Sequence, residues 1–292
     1  MSATSNSGPG QPQPDPPAEP ALCRVGRRLI PRGPAALVFL GVVVLAIACL
    51  CVARATAESE TAARARLLAA RAYADAQALH RASPTNAEAA RQFGRASYDW
   101  AEFATNDSQR ADIAGQGIAA CRQSVAREPA SAPGHYYLAM NLGQLARTKS
   151  LGALKIVGEL EREFKTAHDL DEQFNRAGPD RCLGLLYLGA PGWPASIGSR
   201  TKARRHLQRA VQLAPGYPEN RLNLFEACLK WGDGPGARRE LAALDTLWPA
   251  AQANFAGDVW AASWADWEAR LKKARGKIAE AVKPSKSPRS KS

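Results

Sequence analysis

The sequence predicts an all-α protein built as a solenoid of helical hairpins, and two observations carry that reading. Pro215 and Pro249 lie 34 residues apart, and Ala203, Leu207 and Ala210 recur at the same shift as Ala237, Leu241 and Leu244. A small, a large and an apolar residue followed by a helix-stopping proline mark the end of a two-helix repeat of that length. Further helix ends carry similar punctuation, at Pro84, at Pro129 and, with an acidic stand-in, at Glu172. A hairpin of this kind cannot bury its apolar face alone. It stacks on its neighbours, and the stack offers a binding surface rather than a catalytic core.

That period and residue pattern are those of the tetratricopeptide (TPR) repeat. Four units result, at about 85–131, 132–174, 175–217 and 218–251, all within a repeat domain of residues 54–251. An alanine-rich helix of about 57–81 precedes them. Phe93 and Gly94 supply the large-then-small pair of a first helix, and Leu138, Ala139 and Leu142 supply it again. Leu160, Phe164 and Ala167 line the second helix of that second unit. Leu183, Gly184 and Tyr187 match in the third unit, whereas Phe225 stands where the fourth expects a small residue.

Spacing within the units is uneven. From the small residue of the first helix to the start of the second, a 34-residue repeat needs about 12 residues. The fourth unit keeps this distance, while the third has 19, the second 21 and the first 23. Three insertions at one junction predict loops along one edge of the solenoid. The second is apolar (Leu151, Leu154, Ile156, Val157), and the third, Gly189 to Gly198, presents Trp193 between prolines. Apolar loops on one edge predict a hydrophobic groove or channel mouth. After Pro249 the period ends. Trp260, Trp264, Trp267, Leu271, Ala274 and Ile278 then step by three and four, which predicts a capping helix within residues 252–282.

The two ends differ from the body. Residues 1–34 form a tail whose first twenty positions are Ser-, Gly-, Pro- and Gln-rich, a composition that predicts disorder. Residues 35–53 are an uncharged run close to the ~20 residues that span a bilayer. Arg24, Arg27, Arg28 and Arg32 precede it, so the positive-inside bias leaves the tail cytosolic and exports the chain beyond Arg54. An uncleaved anchor, a cleaved leader ending at Ala46-Ile47-Ala48, and lipidation at Cys49 are all compatible with this stretch. Each places the body outside the cytoplasm, which is the periplasm in a Gram-negative bacterium. Residues 283–292 form a basic, Ser- and Pro-rich tail, for which an anionic partner is one reading.

The net charge of +12 is uneven, with nine Lys or Arg and one acid between Arg270 and Ser292, which is not the pattern of a nucleic-acid-binding face. Six cysteines without a CxxC argue against a zinc site or a disulfide framework. His80, His135, His168 and His206 are scattered, and HExxH, GxSxG and phosphate-binding glycine motifs are missing. The expectation is a non-enzymatic protein without a cofactor or a metal.

The third unit carries the most specific pattern: Gly178-Pro179-Asp180-Arg181, Leu183-Gly184 with Tyr187, then Ala190-Pro191-Gly192-Trp193-Pro194 and Gly198. With the membrane-directed start and expanded repeats, residues 85–250 resemble the T-component family of tripartite ATP-independent periplasmic (TRAP) transporters. The resemblance implies a TPR-built periplasmic protein that partners an extracytoplasmic solute-binding subunit. It also implies a channel for a hydrophobic or amphipathic ligand and assembly as a homo-trimer. The membrane end departs from those lipoproteins in the residues around Cys49. Candidate ligand-binding residues are Leu154, Ile156, Asp180, Arg181, Tyr187, Trp193 and Ile197. Arg181 is expected either to hold a carboxylate or to pair with an acid such as Asp180. The alternative is a protein–protein scaffold for an envelope complex, toward which Asn220, Arg221 and Asn223 lean in the fourth unit.

Overall fold

Capping side chains set five of the helix starts among the described residues. The computed structural model describes residues 60, 62–149 and 153–282. Its helices are α1 (residues 62–82), α2 (Ala87–Ala101), α3 (Asp107–Arg127), α4 (Ala132–Arg147) and α5 (Ala153–Leu170). They continue as α6 (Phe174–Gly189), α7 (Arg200–Leu213), α8 (Pro218–Lys230), α9 (Gly234–Asn254) and α10 (Ala261–Val282), with a short 3-10 turn at Asp258–Trp260. Asn86, Asn106, Ser131, Ser199 and Asp233 each accept a backbone N–H from the first turn of the helix they precede. Such caps satisfy donors that a helix start leaves without partners.

Helices pack in sequential pairs, α2 with α3, α4 with α5, α6 with α7 and α8 with α9, and each pair packs on the next. Close approach explains the small residues. A Cβ at Gly94 would overlap Cys121 Sγ of α3, and one at Gly184 would come within 2.7 Å of Leu207 on α7. In the fourth pair Phe225 is fully buried, facing a core that includes Ala237. One core, around Tyr136, Phe164, Leu183 and Tyr187, joins the middle pairs. The other, around Leu207, Phe225 and Leu244, joins the last two. The tryptophan stripe closes that second core: Trp267, Leu271 and Ala274 are buried, with Trp260, Trp264 and Ile278 half-buried beside them, and α10 packs on α8. At the other end α1 meets the first pair through Tyr73 and His80, both against the Phe93 ring.

Three expectations are corrected. The first two insertions do not emerge as long loops: Asp107–Gly117 lies within α3, and Leu154, Ile156 and Val157 lie in the opening turns of α5. Helix extension satisfies backbone groups that a loop would leave to water. Among the described residues, only the third insertion is an extended loop, at residues 190–199. Pro249 does not stop its helix, because α9 runs on to Asn254, held by burial of Ala251 and by Phe255 in the second core. The tail 1–34, the run 35–53, Cys49, Leu151 and the tail 283–292 lie outside the described residues. Among the described residues no helix is long and apolar enough to cross a membrane.

Candidate functional site

Apolar positions on three first helices and one second helix form a groove of about 620 Å³. On α4 it is lined by Met140, Gly143, Gln144 and Arg147, and on α6 by Cys182, Leu185, Leu186 and Gly189. These i, i+3, i+7 spacings put each set on one helix face. Tyr98 of α2 forms one wall, and Val157, Leu160 and Phe164 of α5 form the floor. At the rim Glu102 accepts from Gln144 Nε2 at 2.6 Å and from Arg147 Nη1 at 3.0 Å, tying α2 to α4. Burial, reinforced by the nearby Glu102 carboxylate, holds the Tyr98 hydroxyl far above its ordinary pKa. Burial likewise raises the Cys182 thiol, whose Sγ lies 3.7 Å from Met140 Sδ. Both groups are therefore neutral, and the groove is charged only at its edge.

Of the residues expected at a site, two are exposed close to the groove in sequence. Leu154, 48% exposed, stands one turn before Val157. Trp193, 89% exposed, lies three residues after Ala190 on the 190–199 loop. That loop is closed on itself, because Gly198 N–H donates to Pro191 O at 2.8 Å and Ser199 N–H to Tyr187 O at 3.0 Å. Ile156 and Ile197 are half-buried against the first core.

Asp180, Arg181 and Tyr187 lie in the interior rather than on a surface. The Asp180 carboxylate is 1% exposed and accepts from His206 Nδ1 at 2.7 Å and His168 Nδ1 at 3.0 Å. Tyr187 donates to Glu161 at 2.6 Å and stacks on His206. Arg181 pairs with an acid of the next unit, Glu219, whose Oε1 lies 3.9 Å from its Nε, instead of with Asp180. Its Nη1 donates to Asn220 Oδ1 at 3.1 Å and to Arg176 O at 3.2 Å. A buried polar group needs such partners, since an unmade bond costs about 1–3 kcal/mol.

The Arg181 contacts also explain an unusual turn. Asn175, Arg176 and Ala177 all have positive φ, at 49°, 58° and 60°, a left-handed conformation costing about 1–2 kcal/mol per residue. Arg181 and Asn220 both bond the Arg176 carbonyl, and Asn175 Nδ2 donates to Tyr136 Oη at 3.2 Å. The turn leaves the Arg176 guanidinium over the rings of Trp260 (4.7 Å), Tyr217 and Phe255 (both 5.4 Å).

Among the described residues no group of three His, Cys, Asp or Glu side chains is arranged to hold a metal ion. The groove residues Tyr98, Met140, Cys182, Leu185 and Leu186 escaped the sequence reading. The one signal was a second apolar face on α6, at Cys182, Leu185 and Leu186, beyond the face it uses against its own partner helix.

The crystal structure of TTC0263, a thermophilic TPR protein of Thermus thermophilus, superposes on 70% of this chain and 88% of that one. The TM-score is 0.51 and the sequence identity 20%. The fold is TPR-like. No family model matches the sequence, and no curated protein matches it. In a TPR-like frame the groove falls on α2, α4 and α6, the first helices of three consecutive hairpins.

Proposed function

We propose that this protein is a non-catalytic, TPR-like interaction scaffold whose groove between α2, α4 and α6 receives an apolar helix or extended segment of a partner protein. The groove itself carries this reading: an open, largely uncharged surface of about 620 Å³ across successive hairpins, with exposed Leu185 on its wall and Trp193 nearby in the chain. Helix-in-groove recognition uses such a surface, and an exposed tryptophan is a frequent energetic anchor. Residues 35–53 serve as the membrane anchor in this proposal, with the hairpins outside the cytoplasm.

The test is isolation of the full chain from its native membrane in mild detergent, followed by cross-linking and mass spectrometry. Leu185→Asp combined with Trp193→Ala should remove the partner while the chain stays folded, because Trp193 is 89% exposed and Leu185 40%. Undiminished recovery of the partner would sink the groove assignment. The narrower reading, an accessory to TRAP-type uptake, draws on the Gly178–Trp193 residue pattern. It predicts that the recovered protein is a solute-binding subunit, or that a small amphipathic molecule travels with the chain under native mass spectrometry.

A further inference from the structure

Two stretches far apart in sequence meet at the start of α1. Arg64 Nη1 donates to Asp258 Oδ2 at 3.2 Å. Between them lies a cavity of about 590 Å³ lined, besides Glu60, Arg64 and Asp258, by Ala65, Leu68, Val259, Ala261 and Ala262. Large aliphatic side chains face solvent in its lining, Leu68 at 53% and Val259 at 79% exposure, and the neighbouring Leu67 is 69% exposed. Arg64, Arg66 and Arg71, all exposed, are interleaved with them along α1, and half-buried Trp260 adjoins Val259.

This mixture suits a lipid headgroup layer better than water. Aliphatic side chains can enter the acyl boundary, arginines reach phosphates through long apolar stems, and tryptophan favours the interface. Chain length points the same way. The uncharged run ends at Ala53, and eight residues separate it from the start of α1. Fully extended, eight residues span at most roughly 28 Å, so a bilayer holding the run keeps the opening turn of α1 within that distance.

We propose that the surface formed by the first turns of α1 and the segment Asp258–Ala262 seats in the headgroup layer of the membrane. The inference rests on residues 35–53 being the anchor, and its partner is phospholipid rather than protein. The test places a photoreactive benzoylphenylalanine at Leu68, at Val259 or, as control, at the exposed Leu170, in the full chain. Each variant is reconstituted into mixed phosphatidylcholine and phosphatidylglycerol vesicles, irradiated and weighed by mass spectrometry. Lipid adducts at Leu68 and Val259 but none at Leu170 are expected. Protein that floats with the vesicles yet gives no adduct at either position, or as much at Leu170, would overturn the seating and leave the anchor standing. Protein that fails to float would overturn both.

Discussion

Replacing Arg181 with Met tests whether the left-handed turn depends on a buried guanidinium. The substitution keeps most of the side-chain volume and removes every donor. Asn220 Oδ1, on a fully buried residue, then loses its Arg181 partner, and the Arg176 carbonyl keeps only Asn220 Nδ2. An orphaned buried acceptor costs about 1–3 kcal/mol, and a lost bond to a charged donor about 1.5–3 kcal/mol. Release of the guanidinium from its buried position offsets part of this. The net expectation is a loss of about 2–4 kcal/mol, or roughly 4–16 °C in melting temperature for a domain of this size. Far-UV circular dichroism of the full chain in detergent would read it. Arg181→Lys keeps a charge but not the planar fork, and should fall between the two. A Met variant melting within about 2 °C of the parent would refute the reasoning.

Other expectations come from single contacts. Trp267→Ala removes a fully buried ring from the second core and should cost about 3–5 kcal/mol, read as an earlier denaturant midpoint. Burial pushes the Cys121 thiol up to about 12. At pH 8 about one molecule in ten thousand then carries the thiolate, so Cys121 should resist iodoacetamide until denaturant is added, as peptide mapping would show. The Asp233 carboxyl is held below its usual range by the Gly236 N–H and by Arg204. Its stabilisation is complete above the unfolded carboxylate value near pH 4 and fades as pH falls through the lower folded value. Asp233→Asn keeps a capping oxygen but not the charge. It should melt earlier than the parent at neutral pH and lose less on acidification.

The hairpins were legible because their determinants are local. Prolines end α3 and α7 within two residues, Gly94 and Gly184 mark close helix approach, and the Trp260–Ile278 stripe has one helical period. The features that escaped depend on residues a full repeat apart. Met140 and Cys182 are 42 positions apart, and Arg181 and Asn220 are 39 apart, so no window of the sequence brings either pair together. Excess length before Gly117 and Leu160 does not by itself distinguish a loop from additional helical turns. Asn106 at the head of α3 was the available clue for the first of these. Pro249 shows the opposite, since its local tendency to end a helix is outweighed by burial of Ala251 and by half-buried Phe255 packed on the second core further along.

Repeat arrays couple mainly neighbour to neighbour, so they can melt one unit at a time. Arg176 breaks that rule. From the turn that opens the third hairpin it lies over Phe255 and Trp260, which belong beyond the fourth. A contact that skips a unit penalises any state in which the third hairpin opens while the end of the chain stays folded. The third and fourth hairpins and α10 should therefore open together, as a block with a shared hydrogen-exchange rate.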